Sequence, residues 1–283
     1  MKNILAFNKL GNLGRLGNQM FEFAALRGIS SKHNYTPIIP PPSHKGIENY
    51  SLHEAFKLDH IDTGFIESET CVVEPYFHFC EEIFEKCPPN IQLYGFFQTE
   101  KYFKHIKDTI LEDFTFHDKY IEPCKKFVSQ FKDPIFLHVR RGDANLTDPR
   151  GFKWSYTQCS DQHPTQTLEY YERALQEFDD DQPVIVFSDS PEWVQEQEFF
   201  QGDRFHQSIP QEKYEDGSYT PYLDLCLMSM CSHGIIANSS LSWWGAWLIK
   251  NPNKKVIAPK RWFGPAYKDK DTKDLYCSDW IVL

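Results

Sequence analysis

Apolar residues fall along this chain in two rhythms, and the switching between them predicts the architecture. Residues 4–7 are a short β-prone run, 8–17 are rich in glycine and polar groups, and 18–31 carry apolar positions at helical spacing. Residues 36–40 predict a second strand. Strand, loop, helix and strand within forty residues make a Rossmann-like βαβ unit, with its loop at the C-terminal end of the first strand. Residues 41–130 lack a clean period and are rich in Phe, Tyr, His and Pro; strands at 71–77 and 91–96 and helices at 51–57 and 119–131 are expected there.

The second half is more regular. Strands are expected at 134–139, 183–187, 234–237 and 255–258, and helices at 167–178, 222–232 and 239–249. Ser190-Pro191 opens a further helix, with proline in its first turn. Strands alternating with helices predict parallel, doubly wound sheets. The expected fold class is therefore α/β, with two Rossmann-like domains facing a cleft, 1–132 and 133–283.

Composition narrows the function. At 41% hydrophobic and 16% aromatic, the 283 residues supply core enough for two domains and exclude global disorder. The formal charge of −10 argues against nucleic acid or an anionic membrane as partner. An anionic substrate would have to find a local cluster of donors against that field. No apolar stretch reaches the roughly 18 residues that span a bilayer, and the N-terminal run is too short for a signal peptide. The eight cysteines (71, 80, 87, 124, 159, 226, 231 and 277) include no C-x-x-C pair; several, Cys226 and Cys231 among them, lie in apolar surroundings and read as small buried hydrophobes, and a reducing cytoplasm fits. The N-x-S/T sequons at Asn34, Asn49, Asn145 and Asn238 carry no weight without a secretory signal.

Four constellations carry chemistry. Gly14-Arg15-Leu16-Gly17-Asn18-Gln19-Met20-Phe21 lies between strand and helix. It matches neither a P-loop nor the dinucleotide fingerprint, but its glycines, Arg15, Asn18 and Gln19 suit a phosphate or a sugar hydroxyl, or form an ordinary turn and cap. Phe136-Leu137-His138-Val139-Arg140-Arg141-Gly142-Asp143 ends an apolar strand in a histidine, two arginines and an acid. Guanidinium forks match phosphate oxygens and keep their charge at any working pH; the alternative is a solvated basic strand end. Gly234 to Trp247 runs strand, small polar residues and helix, so free amides near Ser239, Ser240 and Leu241 can hold an anion. The spacing of Trp243, Trp244 and Trp247 reads as core before it reads as a sugar platform. The fourth is acidic. Asp189 ends a strand and either caps the next helix or serves the site, while Asp224 lies among leucines and needs a partner, such as a guanine edge or a salt bridge. The D-x-D patterns at 179–181 and 269–271 sit in polar runs and read as solvated charge, so no metal is expected.

Taken together, G-R-L-G-N-Q-M-F, H-V-R-R-G-D, F-S-D-S and N-S-S-L-S-W-W-G-A-W resemble glycosyltransferase family 11, the α-1,2-fucosyltransferases. The resemblance implies a GT-B-like fold, GDP-fucose as donor, a glycan acceptor through O-2 of a β-galactoside, inversion at the anomeric carbon and no metal or other cofactor. It points to Arg140 as the main diphosphate contact with Arg141 in support, His138 near the nucleotide, and Ser239, Ser240 and Leu241 on the β-phosphate. Asp224 would read guanine, and Arg15, Gly17, Asn18 and Gln19 would serve the cleft from the first domain. Asp143 is the first choice of base, ahead of Asp148 and Glu22, although it could equally orient an arginine. Ala144 stands where the family often has an aromatic residue, a departure on the acceptor side. Two other readings remain open: transfer of another nucleotide-linked sugar, or a catalytically silent glycan- or nucleotide-binding protein. The missing anchor suggests a soluble bacterial or viral enzyme.

Overall fold

The alternation of strands and helices closes into two separate sheets in which every strand pairing is parallel. The computed structural model describes residues 2–42, 50–68, 70–142, 159–212 and 220–283. These divide into a first unit, Met1–His117 with Lys270–Cys277, and a second unit, Asp118–Asp269 with Ser278–Leu283.

The first unit runs β1 (Ile4–Ala6), α1 (Leu16–His33), β2 (Thr36–Ile38), α2 (Leu52–Ala55), β3 (Cys71–Val73), α3 (Glu81–Lys86), β4 (Ile91–Tyr94) and α4 (Lys107–Asp113). Its sheet order is β2-β1-β4-β3. Helix α1 ends at Asn34, whose left-handed backbone (φ 55) turns its N–H onto the carbonyls of Ser30 and Ser31. The helix is buried nearly all round, because a second layer of chain packs on it. A Cβ on Gly28 would stand 1.9 Å from the Tyr102 carbonyl oxygen, so glycine permits that approach. The aromatic residues that lacked periodicity fill this core: Phe97 meets Phe7 and Tyr102 edge-on, and Phe114 packs against Phe23 and Phe56. They sit on short helices and turns, including the 3₁₀ turns Glu100–Tyr102 and Lys104–Ile106, where no long pattern can form.

The second unit runs α5 (Asp118–Val128), β5 (Ile135–Val139), α6 (Leu168–Leu175), β6 (Val184–Ser188), α7 (Pro191–Glu196), β7 (Phe205–Gln207), α8 (Tyr222–Met230), β8 (His233–Ile235), α9 (Ser240–Leu248), β9 (Val256–Ala258) and β10 (Ile281–Val282). The sheet order is β10-β9-β8-β5-β6-β7. Ile135, Leu137 and Val139 pack on one face of β5 with Tyr170 and Tyr171 of α6. Trp243, Trp244 and Trp247 of α9 are buried, so they fill core rather than offer a sugar platform. A Cβ on Gly234 would meet the Phe136 ring at 2.5 Å.

The expected division at residue 132 differs from the observed one in two places. Helix α5 belongs with the second unit, because its Tyr120 ring packs on Tyr222 (5.6 Å) and its Cys124 thiol donates to the Leu223 carbonyl. Residues 270–277 return to the first unit, where the Asp274 carboxylate accepts from the Phe79 amide and from Lys101. The short strands β7 and β10 gave no pattern long enough to anticipate. No described helix is long and apolar enough to cross a membrane.

Candidate active site

In open parallel sheets, ligands bind beyond the carboxyl ends of the strands where the strand order reverses. In the second unit that reversal lies between β5 and β8, which pair directly through Leu137 and Ile235. Two of the predicted constellations follow these strands, Arg140 and Arg141 after β5 and Ser239 after β8.

The arginine pair is held by one carboxylate. Asp189, just past β6, accepts from Arg140 Nη1 at 2.5 Å, from the Arg141 amide at 2.9 Å and from the Gly142 amide at 2.8 Å. Gly142 takes a left-handed backbone (φ 76), which lets successive amides converge on a single acid. Asp189 therefore spends its oxygens on the turn and the guanidinium rather than on helix capping. The Arg141 guanidinium lies 3.9 Å over the Trp193 ring of α7. Charge assistance makes such bonds stronger than neutral ones. Sequence reasoning placed the arginines but missed Trp193, whose stacking partner is 52 residues away.

His138 is buried with no hydrogen bond to Nδ1, and burial holds its imidazole down at about 4. The nearby Asp189 pulls the value up and Arg140 pushes it further down. The imidazole is thus neutral at physiological pH. Ser239 is the N-cap of α9 and makes no side-chain cap, so the amides opening the helix at Ser240 and Leu241 have no intrahelical acceptor. Asn238 is buried in an amide network, donating to the carbonyls of Pro164 and Trp262 and accepting from Gln166, and is no glycan acceptor.

Asp224 on α8 receives Gln211 Nε2 at 2.8 Å, and the Gln211 carboxamide oxygen has no partner. Burial pushes the Asp224 carboxyl up to about 7, Asp189 adds to this, and a hydrogen bond from Ser208 works against it. Gln211 and Ser208 lie in a polar stretch with no pattern and were not anticipated. Asp143 and Asp148 lie outside the described residues, as does Ala144. Asp179, Asp180 and Asp181 lie in the connection between α6 and β6, and Asp271 pairs with Lys273. Among the described residues no group of three metal-ligating side chains occurs.

In the first unit the order reverses between β1 and β4. The glycine loop follows β1, with Gly11 and Gly14 both at positive φ and Arg15 exposed at the start of α1. Gly17 is buried. Gln19 is also buried, and its carboxamide donates to the Gly14 carbonyl and accepts the Ser51 amide. That geometry makes Gln19 a brace for the loop. Asn18 is partly exposed and accepts from Gln98, a residue outside every predicted motif. Glu22 has no exposed surface and no partner for either oxygen; burial, then the neighbouring Glu74, raises its carboxyl well above the usual range. With no exposed surface, Glu22 does not present its carboxyl to a substrate hydroxyl.

Three comparisons bear on this arrangement. An Escherichia coli alpha-1,2-colitosyltransferase is 30% identical over 275 residues, covering 88% of this chain and 90% of its own. The O-antigen biosynthesis glycosyltransferase WbnK of E. coli is 32% identical over 200 residues, and human galactoside alpha-(1,2)-fucosyltransferase 1 is 26% identical over 249. The matches span 60% and 63% of the length of those two proteins. Among solved structures, POFUT1 with GDP superposes over 91% of this chain and 98% of its own at a TM-score of 0.53 and 13% identity. Fucosyltransferase NodZ from Bradyrhizobium covers 87% and 92% at a TM-score of 0.52 and 10% identity. The fold class expected from sequence, two Rossmann-like sheets of the GT-B kind, is the class of these structures. The family model of Glycosyl transferase family 11 matches residues 2–283, taking in both glycine loop and arginine turn, and the chain belongs to that family.

Proposed function

We propose that this family 11 glycosyltransferase moves L-fucose from GDP-fucose to O-2 of a terminal β-galactoside, with inversion and without a metal. The observation that carries the reading is the anchored arginine turn at the strand-order reversal of the second sheet, beside the free amides of α9. In a chain with a net charge of −10, such a cluster is where a diphosphate finds donors.

Displacement at the anomeric carbon passes through an oxocarbenium-like state, as in inverting hydrolysis with a sugar hydroxyl in place of water. Negative charge then grows on the departing β-phosphate. Arg140 and the amides of Ser240 and Leu241 supply preorganised positive charge there, with Ser239 as a hydroxyl donor. Arg141, fixed on Trp193, supports the same anion. Neutral His138 offers a ring nitrogen near the nucleotide, and Asp224 accepts from the guanine edge, with Gln211 beside it. Asp143, which follows Gly142 in sequence, is assigned the base that takes the acceptor proton. Arg15 and Asn18 are assigned to substrate, while Gly17 and Gln19 shape their loop.

A second donor is favoured by one observation, the match to a colitosyltransferase across nearly its whole length. Colitose is fucose without its 3-hydroxyl, so the two donors differ at one group. The deciding measurement is GDP release in EDTA from GDP-fucose, GDP-colitose, GDP-mannose and UDP-galactose, each with lactose, N-acetyllactosamine or galactose. Turnover confined to GDP-fucose supports the proposal. Preference for GDP-colitose transfers the reading to that donor, and GDP binding without turnover on any pair points to a silent binding protein.

A further inference from the structure

The strand-order reversal of the first sheet lies between β1 and β4, and one side-chain bond joins the segments that leave them. Gln98, four residues past β4 and buried, donates from Nε2 to Asn18 Oδ1 at 2.8 Å, across 80 residues of sequence. The Asn18 carboxamide lies over Gly14. A Cβ on Gly14 would stand 2.1 Å from Asn18 Nδ2, and the backbone there has φ +70. Gly14 therefore gives the amide its berth while Gln98 occupies its oxygen. The Nδ2 hydrogens are the end left to offer.

Gln98 is itself placed at a conformational cost. Gly95 has φ +151, and Phe97, a bulky residue, sits in the left-handed region at φ 52. Backbone of this kind persists only where its surroundings impose it, and it concentrates at functional sites. Here the surroundings are explicit. Glu74 Oε2 accepts the amides of Phe96 at 2.8 Å and Phe97 at 3.0 Å, and a Cβ on Gly95 would lie 2.4 Å from Glu74 Cβ. The Phe97 ring is buried edge-on between Phe7 and Tyr102. A carboxylate, a glycine and a buried ring thus hold a strained turn whose next residue is Gln98.

We propose that Gln98 is a positioning residue for sugar transfer: it holds the oxygen of the Asn18 carboxamide so that Asn18 presents its N–H donors to the substrate, and Glu74 fixes Gln98 through the 95–97 turn. This rests on the assignment of Asn18 to the substrate made under the proposed function.

A double-mutant cycle on the full chain, with GDP-fucose and lactose, tests it. Gln98→Ala is expected to lower kcat about 10- to 100-fold, the cost of a misplaced contact, with GDP affinity and thermal midpoint little changed. Gln98→Glu keeps the shape but can only accept, so it turns the Asn18 amide round and loses as much. In an Asn18→Ala background, Gln98→Ala costs no more than about twofold, because two residues acting as one unit are not additive. Where Gln98→Ala lowers the midpoint by more than a few degrees, Gln98→Met, which keeps the bulk without the amide, takes its place in the cycle. Full activity in Gln98→Glu, or losses that multiply in the double mutant, overturns the positioning role while leaving Asn18 in the site. Normal transfer by Asn18→Ala removes Asn18 from the site and this inference with it.

Discussion

The two strand-order reversals are built from opposite materials. In the second unit the side chains are charged and tied to one another: Asp189 gathers Arg140 and two amides, Arg141 lies on Trp193, and Asp224 takes Gln211. In the first unit, apart from the exposed Arg15, they are neutral amides braced against backbone and each other, Gln19 on Gly14 and Ser51 and Gln98 on Asn18, with the buried Glu22 and the half-buried Glu74 nearby. Charge suits a leaving diphosphate, whose negative charge grows during reaction and must be met without delay. Amides suit hydroxyl groups, which change little in charge and are recognised by direction. The difference gives each unit a different mode of failure when its key residue is removed.

The largest effect should come from the charged side. Arg140→Ala removes one preorganised donor and is expected to lower kcat by about 10²–10³ while the fold persists. Arg140→Lys keeps the charge but loses the fork that meets both Asp189 and an anion, so it should recover only part of the loss. Steady-state kinetics and circular dichroism decide this. Near-normal turnover in the alanine variant would detach the arginine turn from the chemistry.

Next comes the acid that organises that turn. Asp189→Ala strips the Arg141 and Gly142 amides of their acceptor and removes the Arg140 ion pair, at a carboxylate only 9% exposed. Breaking such a partly buried ion pair is expected to cost about 3 kcal/mol of stability in urea unfolding, together with a loss of activity. Loss of activity at unchanged stability would mean that Asp189 serves the substrate directly. Loss of stability with activity retained in the folded fraction would leave it a purely structural clamp.

The contrast also governs what the sequence disclosed. The second unit's polar cluster was legible because it sits at the ends of apolar strands: His138 near the end of one with Arg140 and Arg141 just after it, Asp189 after the next and Ser239 after a third. A run of charge against an apolar strand is visible in one dimension. The first unit's partners are separated by long intervals, with Gln98 80 residues from Asn18 and Glu74 joined to Phe96 and Phe97 only through a turn. Its aromatic core fills space from short, irregular segments, so neither a helical nor a strand period survives across 41–117. Trp193 illustrates the same limit in the second unit, since stacking on Arg141 leaves no spacing signature. Residues 270–277 could not be assigned to the first unit from sequence because nothing local distinguishes that return of the chain.

The smallest expected effect lies in the first unit. Glu22 is enclosed with both oxygens unpartnered, and burial first, then Glu74, raises its carboxyl well above the usual value; Glu74 itself is pushed up to about 7 by burial, against the pull of two backbone amides and Lys270. An acid whose folded value is raised stabilises the fold fully below its unfolded value, near 4.3, because both states are then protonated. As pH rises past that point the unfolded chain releases its proton while the folded one retains it, and stability falls until the folded value is passed. Glu22→Gln carries no such proton. It should match the wild type below about pH 4 and exceed it by about 1–3 kcal/mol at pH 9, the gap widening as pH rises. Unfolding midpoints of the two proteins across that range measure the gap directly. A difference that stays constant with pH would mean that Glu22 is ionised and paired in the folded state, and that the acids of the first unit belong with the charged architecture of the second.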